Sequence, residues 1–168
     1  FDKTGTLTTW NFKIKNINCI NENLSEVKNI LYNLELNSSH PIAKSIVNEL
    51  KNSTILSVNN IKEHKGKGIE GVINQNHYLL GSKKISKNLK DEKKHNLYLL
   101  KNNSLIATID IEDEIKNDIK KDIKKLKRNG IKTIMLSGDK KEKCEKLAKQ
   151  LDITKVFSEQ LPKEKLQK

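Results

Sequence analysis

The stretch IKTIMLSGD, residues 131–139, is a short apolar run that ends in small polar residues. This is the pattern of a strand buried inside a parallel sheet, with chemistry at its carboxyl end. Working outward, Gly130 is a suitable residue to close a preceding helix. Ile115, Ile119, Ile123 and Leu126 recur ahead of it at helical spacing. Behind it a helix is predicted with Cys144, Leu147, Ala148 and Leu151 inward, then a short strand at KVFS, residues 155–158. Helix, strand, helix, strand is an α/β order.

The other end of the chain reads as part of the same sheet. Asp2 would close a strand, so Asp2 and Ser137-Gly138-Asp139 would meet at strand carboxyl ends, where open α/β sheets gather their chemistry. The residues between look inserted. LSEVKNILYNLEL, 24–36, has Leu24, Val27, Leu31 and Leu34 at helical spacing. HPIAKSIVNELK, 40–51, puts Pro41 at a helix start and Ile42, Ile46 and Leu50 on one face. From about 53 to 111 the texture is β-like. GIEGVINQNHYLLGS, 68–82, reads as a hairpin around Asn74 to Asn76, and LYLLKNNSLIATIDI, 97–111, as another turning at Asn102 and Asn103. The expected division is residues 1–9 with 110–168 as one domain and 10–109 as the other.

Composition narrows the classes. With 35% apolar and 32% charged residues and a net charge of +12, the chain reads as globular with a modest core. No apolar run approaches the roughly 18 residues of a membrane helix, and no signal peptide opens the chain. The lysines are scattered and the chain holds only seven Phe, Tyr and Trp, so a stacking platform for single-stranded nucleic acid is not expected. Cys19 and Cys144 stand alone, as in a reducing compartment. Four dispersed histidines complete no transition-metal spacing, and His77 and His95 read as surface residues.

Asp2 followed by Thr4, Gly5 and Thr6 offers a nucleophilic carboxylate, a tight turn and hydroxyls suited to phosphate oxygens. The same residues also read as a plain Asp-Gly-Thr turn. Ser137-Gly138-Asp139 reads as a strand-to-helix turn with Asp139 as N-cap, which is compatible with phosphate binding. His40 is equally a helix cap or a ligand group. A lone Gly66-Lys67-Gly68 reads as a β-turn.

The full motif set resembles the P-type ATPases, ion pumps that pass through an aspartyl-phosphate. DKTGTLT (2–8) is similar to their phosphorylation motif, and SSHPIAKSI (38–46) resembles the His-Pro signature of the heavy-metal, type IB branch. GKGIEG (66–71) resembles its Gly-x-Gly nucleotide loop. MLSGD (135–139) resembles the family's M-L-T-G-D with Ser137 for Thr, and LPKEKLQK (161–168) its P-x-x-K segment. The resemblance implies an α/β, haloacid-dehalogenase-like phosphorylation domain, incomplete here and interrupted by an α+β nucleotide-binding domain with an antiparallel sheet. The family's G-D-G-x-x-N-D motif belongs beyond Lys168, so an excerpt of a larger pump is expected, a cytoplasmic part of an integral membrane protein.

The resemblance also implies roles. Asp2 would attack the γ-phosphate of ATP, and Lys165 would supply a cation. Ser137 and Gly138 would donate to phosphoryl oxygens. Thr4 would bind phosphate by its side chain and, with Asp2, Mg²⁺ by its carbonyl, in a site lacking the family's second carboxylate. Glu35 and His40, spaced as in E-x-x-x-x-H-P, would form the adenine pocket. Gly66, Gly68, Gly81 and Ser82 would lie along the nucleotide, and Lys116 near it. The implied partners are ATP, the pump's own transmembrane and actuator domains, and a copper or zinc/cadmium ion bound elsewhere; nucleic acid is not among them. Besides nucleic-acid binding, which rests only on the charge, two rival readings stand beside this one. One is a soluble haloacid-dehalogenase-like phosphatase, which usually carries a second Asp where this chain has Thr4. The other is a nucleotide-binding module without turnover.

Overall fold

The computed structural model describes residues 1–86, 89, 95–138 and 141–160, apart from the side chains of Thr4 and Trp10. The expectations for Asp139, for Lys165 and its P-x-x-K segment, and for the Thr4 side chain lie outside the described residues. The chain divides into a terminal unit, residues 1–10 and 113–168, and an inserted unit, residues 11–112. No described helix is long and apolar enough to cross a membrane.

The inserted unit is built on a six-stranded sheet. In chain order its elements are β1 (Thr8–Cys19), α1 (Leu24–Glu35), α2 (Pro41–Glu49), β2 (Asn59–His64), β3 (Gly68–Ile73), β4 (Asn76–Gly81), β5 (Leu97–Lys101) and β6 (Ser104–Ile115), with strand order β1-β6-β5-β4-β3-β2. The two expected hairpins are present. They turn at Asn74-Gln75 and Asn102-Asn103, all four at positive φ, a conformation Asn tolerates better than most residues. Ile69 and Ile73 alternate with half-buried residues along β3 and face a core shared with Val27, Ile30, Leu31 and Leu34 of α1. Asn33 is buried yet satisfied. Its Nδ2 donates to Asn29 O and Thr54 O, and its Oδ1 accepts from Leu56 N, tying the segment after α2 to α1.

β1 is the strand that sequence reading did not assign. Phe12, Ile14, Ile17 and Cys19 pack only partly against the core, and the phase of the apolar residues slips between Ile14 and Ile17. Lys and Asn fill the remaining positions, so the alternation holds on each side of the slip but not along the whole strand.

In the terminal unit, α3 (Ile119–Arg128), β7 (Ile134–Leu136), α4 (Lys141–Leu151) and β8 (Lys155–Phe157) follow one another. β7 and β8 pair in parallel, and Asp2 bridges to Leu136, also in parallel. Leu7, Ile123, Met135, Cys144, Ala148, Leu151 and Ile153 form the core. Gly130 takes φ +74 just past α3, the role its position predicts. One assignment is corrected. Ile115 ends β6 instead of opening the helical stripe, and α3 begins at Ile119 after a short turn. Ile115 still packs on the same core, which is why its spacing imitates a helix.

Candidate functional site

In the terminal unit the site begins with backbone. Phe1 N donates to Ile134 O at 2.7 Å, and Leu136 N donates to Phe1 O at 2.8 Å. Ser137 N then donates to Phe157 O at 2.9 Å. Asp2 and Ser137-Gly138 therefore lie at the same, carboxyl ends of neighbouring strands, with Asp2 exposed, Ser137 buried and Gly138 exposed. After Asp2 the backbone makes a wide π-type turn over Lys3–Leu7 with Gly5 at φ +80. Thr8, buried, steadies this turn: its hydroxyl accepts from Gly5 N at 3.3 Å and reaches Lys3 O at 3.5 Å.

Lys116 stands outside the helices, between β6 and α3. It follows β6, its N–H donates to Leu7 O, and its Nζ donates to Gly5 O at 2.9 Å, so it clasps the turn that carries Asp2. A second pair was not legible in the sequence. Lys3 Nζ lies 3.7 Å from Asp113 Oδ2, with side chains 14% and 11% exposed. Both Asp113 oxygens are buried and accept no hydrogen bond among the described residues. A buried carboxylate is costly without a partner charge, so Lys3 neutralises it immediately beside Asp2.

In the inserted unit the four remaining glycine-loop residues come together. β3 and β4 place Gly68 directly opposite Gly81. A Cβ on Gly68 would lie 2.0 Å from Leu80 O, and one on Gly81 would lie 2.1 Å from Lys67 O. Ser82 closes the arrangement, its N donating to Lys67 O at 2.8 Å and its hydroxyl at 3.3 Å. Gly66, at φ +72, has open space where a Cβ would sit. The Gly-x-Gly loop is thus held from below by a glycine-to-glycine contact, and its tip is bare.

Glu35, the last residue of α1, is 7% exposed. Burial, and secondarily the negative charge of Glu63, push its carboxyl up to about 7. Glu63 accepts from Ser38 Oγ at 2.7 Å, and the same oxygen accepts from His40 N at 3.3 Å. Glu63 lies on β2 just before the glycine loop, so Ser38 and Glu63, neither expected from the sequence, connect Glu35 and His40 to Gly66–Gly68. His40 caps α2, its Nδ1 accepting from Ile42 N at 3.2 Å, while the residue stays exposed.

The surface reading fits His77, whose side chain is 41% exposed, but needs correction for His95. His95 is 15% exposed, stands 3.0 Å from Asp110 Oδ1 and meets Tyr98 edge-on. His64 and His77 each hold one oxygen of Glu70, at 3.1 and 3.3 Å. Sequence spacing hid these contacts because they form across strands.

An α/β unit with an exposed carboxylate at a strand end, interrupted by a glycine-loop unit, can be matched to known proteins. A family model for haloacid dehalogenase-like hydrolases matches residues 1–167, and the chain belongs to that family. Within it, the chain is 35% identical, over all its length, to copper-exporting P-type ATPase B of Archaeoglobus fulgidus. It is 31% identical over 99% of its length to a probable cadmium-transporting ATPase of Alkalihalophilus pseudofirmus. It spans 26% of the length of each. The solved catalytic domain of the CPx-ATPase CopB-B superposes with TM-score 0.81 and 32% identity over 99% of this chain and 62% of that one. The chain is homologous to the catalytic part of heavy-metal P-type ATPases, and its haloacid dehalogenase-like α/β fold is that of their solved domains.

Proposed function

We propose that this chain is the ATP-binding and phosphorylation portion of a heavy-metal-exporting P-type ATPase, acting on copper or on zinc/cadmium, at the cytoplasmic side of a membrane. The observation that carries the reading is the exposed Asp2 carboxylate at a strand end, with Ser137-Gly138 at the same end of the next strand. An Asp2 oxygen attacks the γ-phosphorus of ATP, an O–P bond forms as the β,γ-bridging bond breaks, and ADP leaves. Such transfer is mainly positioning and charge neutralisation. The clasp of Lys116 on Gly5 O fixes the turn that aims Asp2. The Ser137 hydroxyl and Gly138 N–H receive phosphoryl oxygens, and Asp139 and Lys165 complete the set. The Asp2 carboxylate and Thr4 carbonyl are the hard oxygen donors Mg²⁺ takes beside substrate phosphates, and when bound it would neutralise phosphoryl charge. In the inserted unit, His40 and Glu35 hold the adenine, and Gly66, Gly68, Gly81 and Ser82 let backbone approach the ribose and phosphates.

The test uses the full-length pump. Acid-stable, hydroxylamine-labile labelling from γ-labelled ATP is expected, and Asp2→Asn should abolish it. Labelling that survives Asp2→Asn would overturn the assignment.

A further inference from the structure

Although lysines are scattered along the chain, half of its net positive charge falls on one short segment. Residues 116–132 hold eight Lys and Arg against two Asp, a net +6 of the chain's +12 on 17 of 168 residues. Ten of those residues are α3. Ile123 is fully buried and Ile119 and Leu126 are half-buried on its inner side. At about 100° per residue, Lys121, Lys124, Lys125 and Arg128 project from the opposite side, all exposed. Two neighbouring charges are already answered. Lys121 pairs with Asp118 at 3.2 Å and Lys127 with Asp152 at 2.7 Å, which holds the Asp152 carboxyl below its ordinary range. Lys124, Lys125 and Arg128 have no carboxylate at ion-pair distance among the described residues.

We propose that the outward face of α3 is a docking surface for anionic phospholipid headgroups. Charge complementarity selects a polyanion, and the chemistry of the face selects which kind. α3 carries five Lys to one Arg, and no aromatic residue occurs between 116 and 132. Nucleic-acid surfaces use planar Arg forks and stacking rings. Compact Lys charges on one side of an amphipathic helix suit the diffuse field of an anionic bilayer. The proposal rests on the pump reading, which brings a bilayer within reach of this unit.

The experiment is co-sedimentation of this 168-residue chain with vesicles of phosphatidylcholine alone, or mixed with phosphatidylglycerol. Binding is expected only to the mixed vesicles, and it should be lost at high salt. K124Q/K125Q/R128Q should weaken partitioning about a hundredfold, at about fivefold per charge, with helical circular dichroism unchanged. K124R/K125R should bind as the parent does. K44Q/K51Q/K62Q removes the same charge from exposed positions of the inserted unit and should change partitioning by less than about twofold. Three results would overturn the proposal: no binding to the mixed vesicles at low salt, equal loss in the control triple, or tighter α3-dependent binding to duplex DNA than to vesicles. Vesicle binding needs no phosphoryl chemistry, so its failure and a failure of Asp2 labelling are read separately.

Discussion

The two units solve opposite problems with the same chain. Among the described residues, the inserted unit has fifteen buried apolar residues in one cluster, from Val27 to Ile111, under a sheet whose strands run five to twelve residues. Among the described residues of the terminal unit there are seven, and its strands β7 and β8 are three residues each. It leaves Ile131 and Ile134 exposed at 50% and 40%. Each buried aliphatic side chain contributes about 1.5–3 kcal/mol, so the inserted unit has the larger hydrophobic contribution, set against the greater chain entropy of its greater length. The lesson is a division of labour. The larger core holds a rigid loop and tolerates a buried carboxyl at Glu35. The smaller one carries the exposed Asp2 carboxylate and the buried Lys3–Asp113 ion pair.

The largest expected effect follows directly. Opening free energies from amide exchange should be higher for Leu99 and Ile109 than for Met135 and Val156 by about 3 kcal/mol or more, roughly a hundredfold in exchange rate. Equal protection would break the comparison. The gap should also depend on pH. Glu35 has a folded pKa of about 7 against an ordinary 4.5, so the folded state binds its proton more tightly. Its contribution is complete below about 4.5 and is lost as pH rises through about 7, by at most about 3 kcal/mol. The inserted unit should therefore lose stability over that window, and Glu35→Gln should flatten the loss. A profile identical in the variant would remove Glu35 as its cause.

Next come the glycines, where the two units differ in how closely backbone approaches backbone. Gly68→Ala and Gly81→Ala each force a Cβ within about 2 Å of a carbonyl oxygen. Each should cost about 3 kcal/mol and weaken nucleotide binding by loosening the loop. Gly66→Ala meets no atom but keeps φ +72, so about 1 kcal/mol is expected. Gly138→Ala in the terminal unit would place its Cβ 3.4 Å from Gln160 O, an ordinary contact, and should change stability by less than about 0.5 kcal/mol. Thermal unfolding of the four variants checks the order. A Gly81→Ala as mild as Gly138→Ala would show that the sheet yields where the structure is tight.

What could be read from the sequence depended on whether the cause was local. The strand at 134–136, the helix closed by Gly130 and the two Asn hairpins are local choices, and each announces itself within a few residues. β1 does not, because its side chains are only half engaged. Ile115 misled because a strand end and a helix face can feed the same core. The candidate site divides in the same way. Asp2, the glycine loop and the Glu35–His40 spacing were legible through a family resemblance, since motifs are contiguous. The Gly68–Gly81 contact, the Glu63–Ser38 link, the Lys3–Asp113 pair and the His95–Asp110 pair are long-range or cross-strand contacts, and a single sequence holds no signal for them.

The smallest effect concerns His40, where two roles share one side chain. Its Nδ1 accepts from Ile42 N, which places the ring proton of the neutral form on Nε2 and leaves an exposed ring face at the start of α2. The cap is worth about 1 kcal/mol, and one base-stacking contact about 1–2 kcal/mol. His40→Ala removes both, so α2 should fray and ATP and ADP should weaken alike. His40→Asn keeps a capping oxygen and removes the ring, so α2 should hold while nucleotide affinity still falls about tenfold. GTP, which lacks the adenine amino group that Glu35 would accept, should bind more weakly than ATP to the parent chain. Titrations of the parent and both variants with ATP, ADP and GTP, followed by amide chemical shifts, separate the roles. Undiminished affinity in His40→Asn would leave His40 as a helix cap alone, and the adenine would then depend on Glu35 and the glycine loop, within the unit that has the larger core.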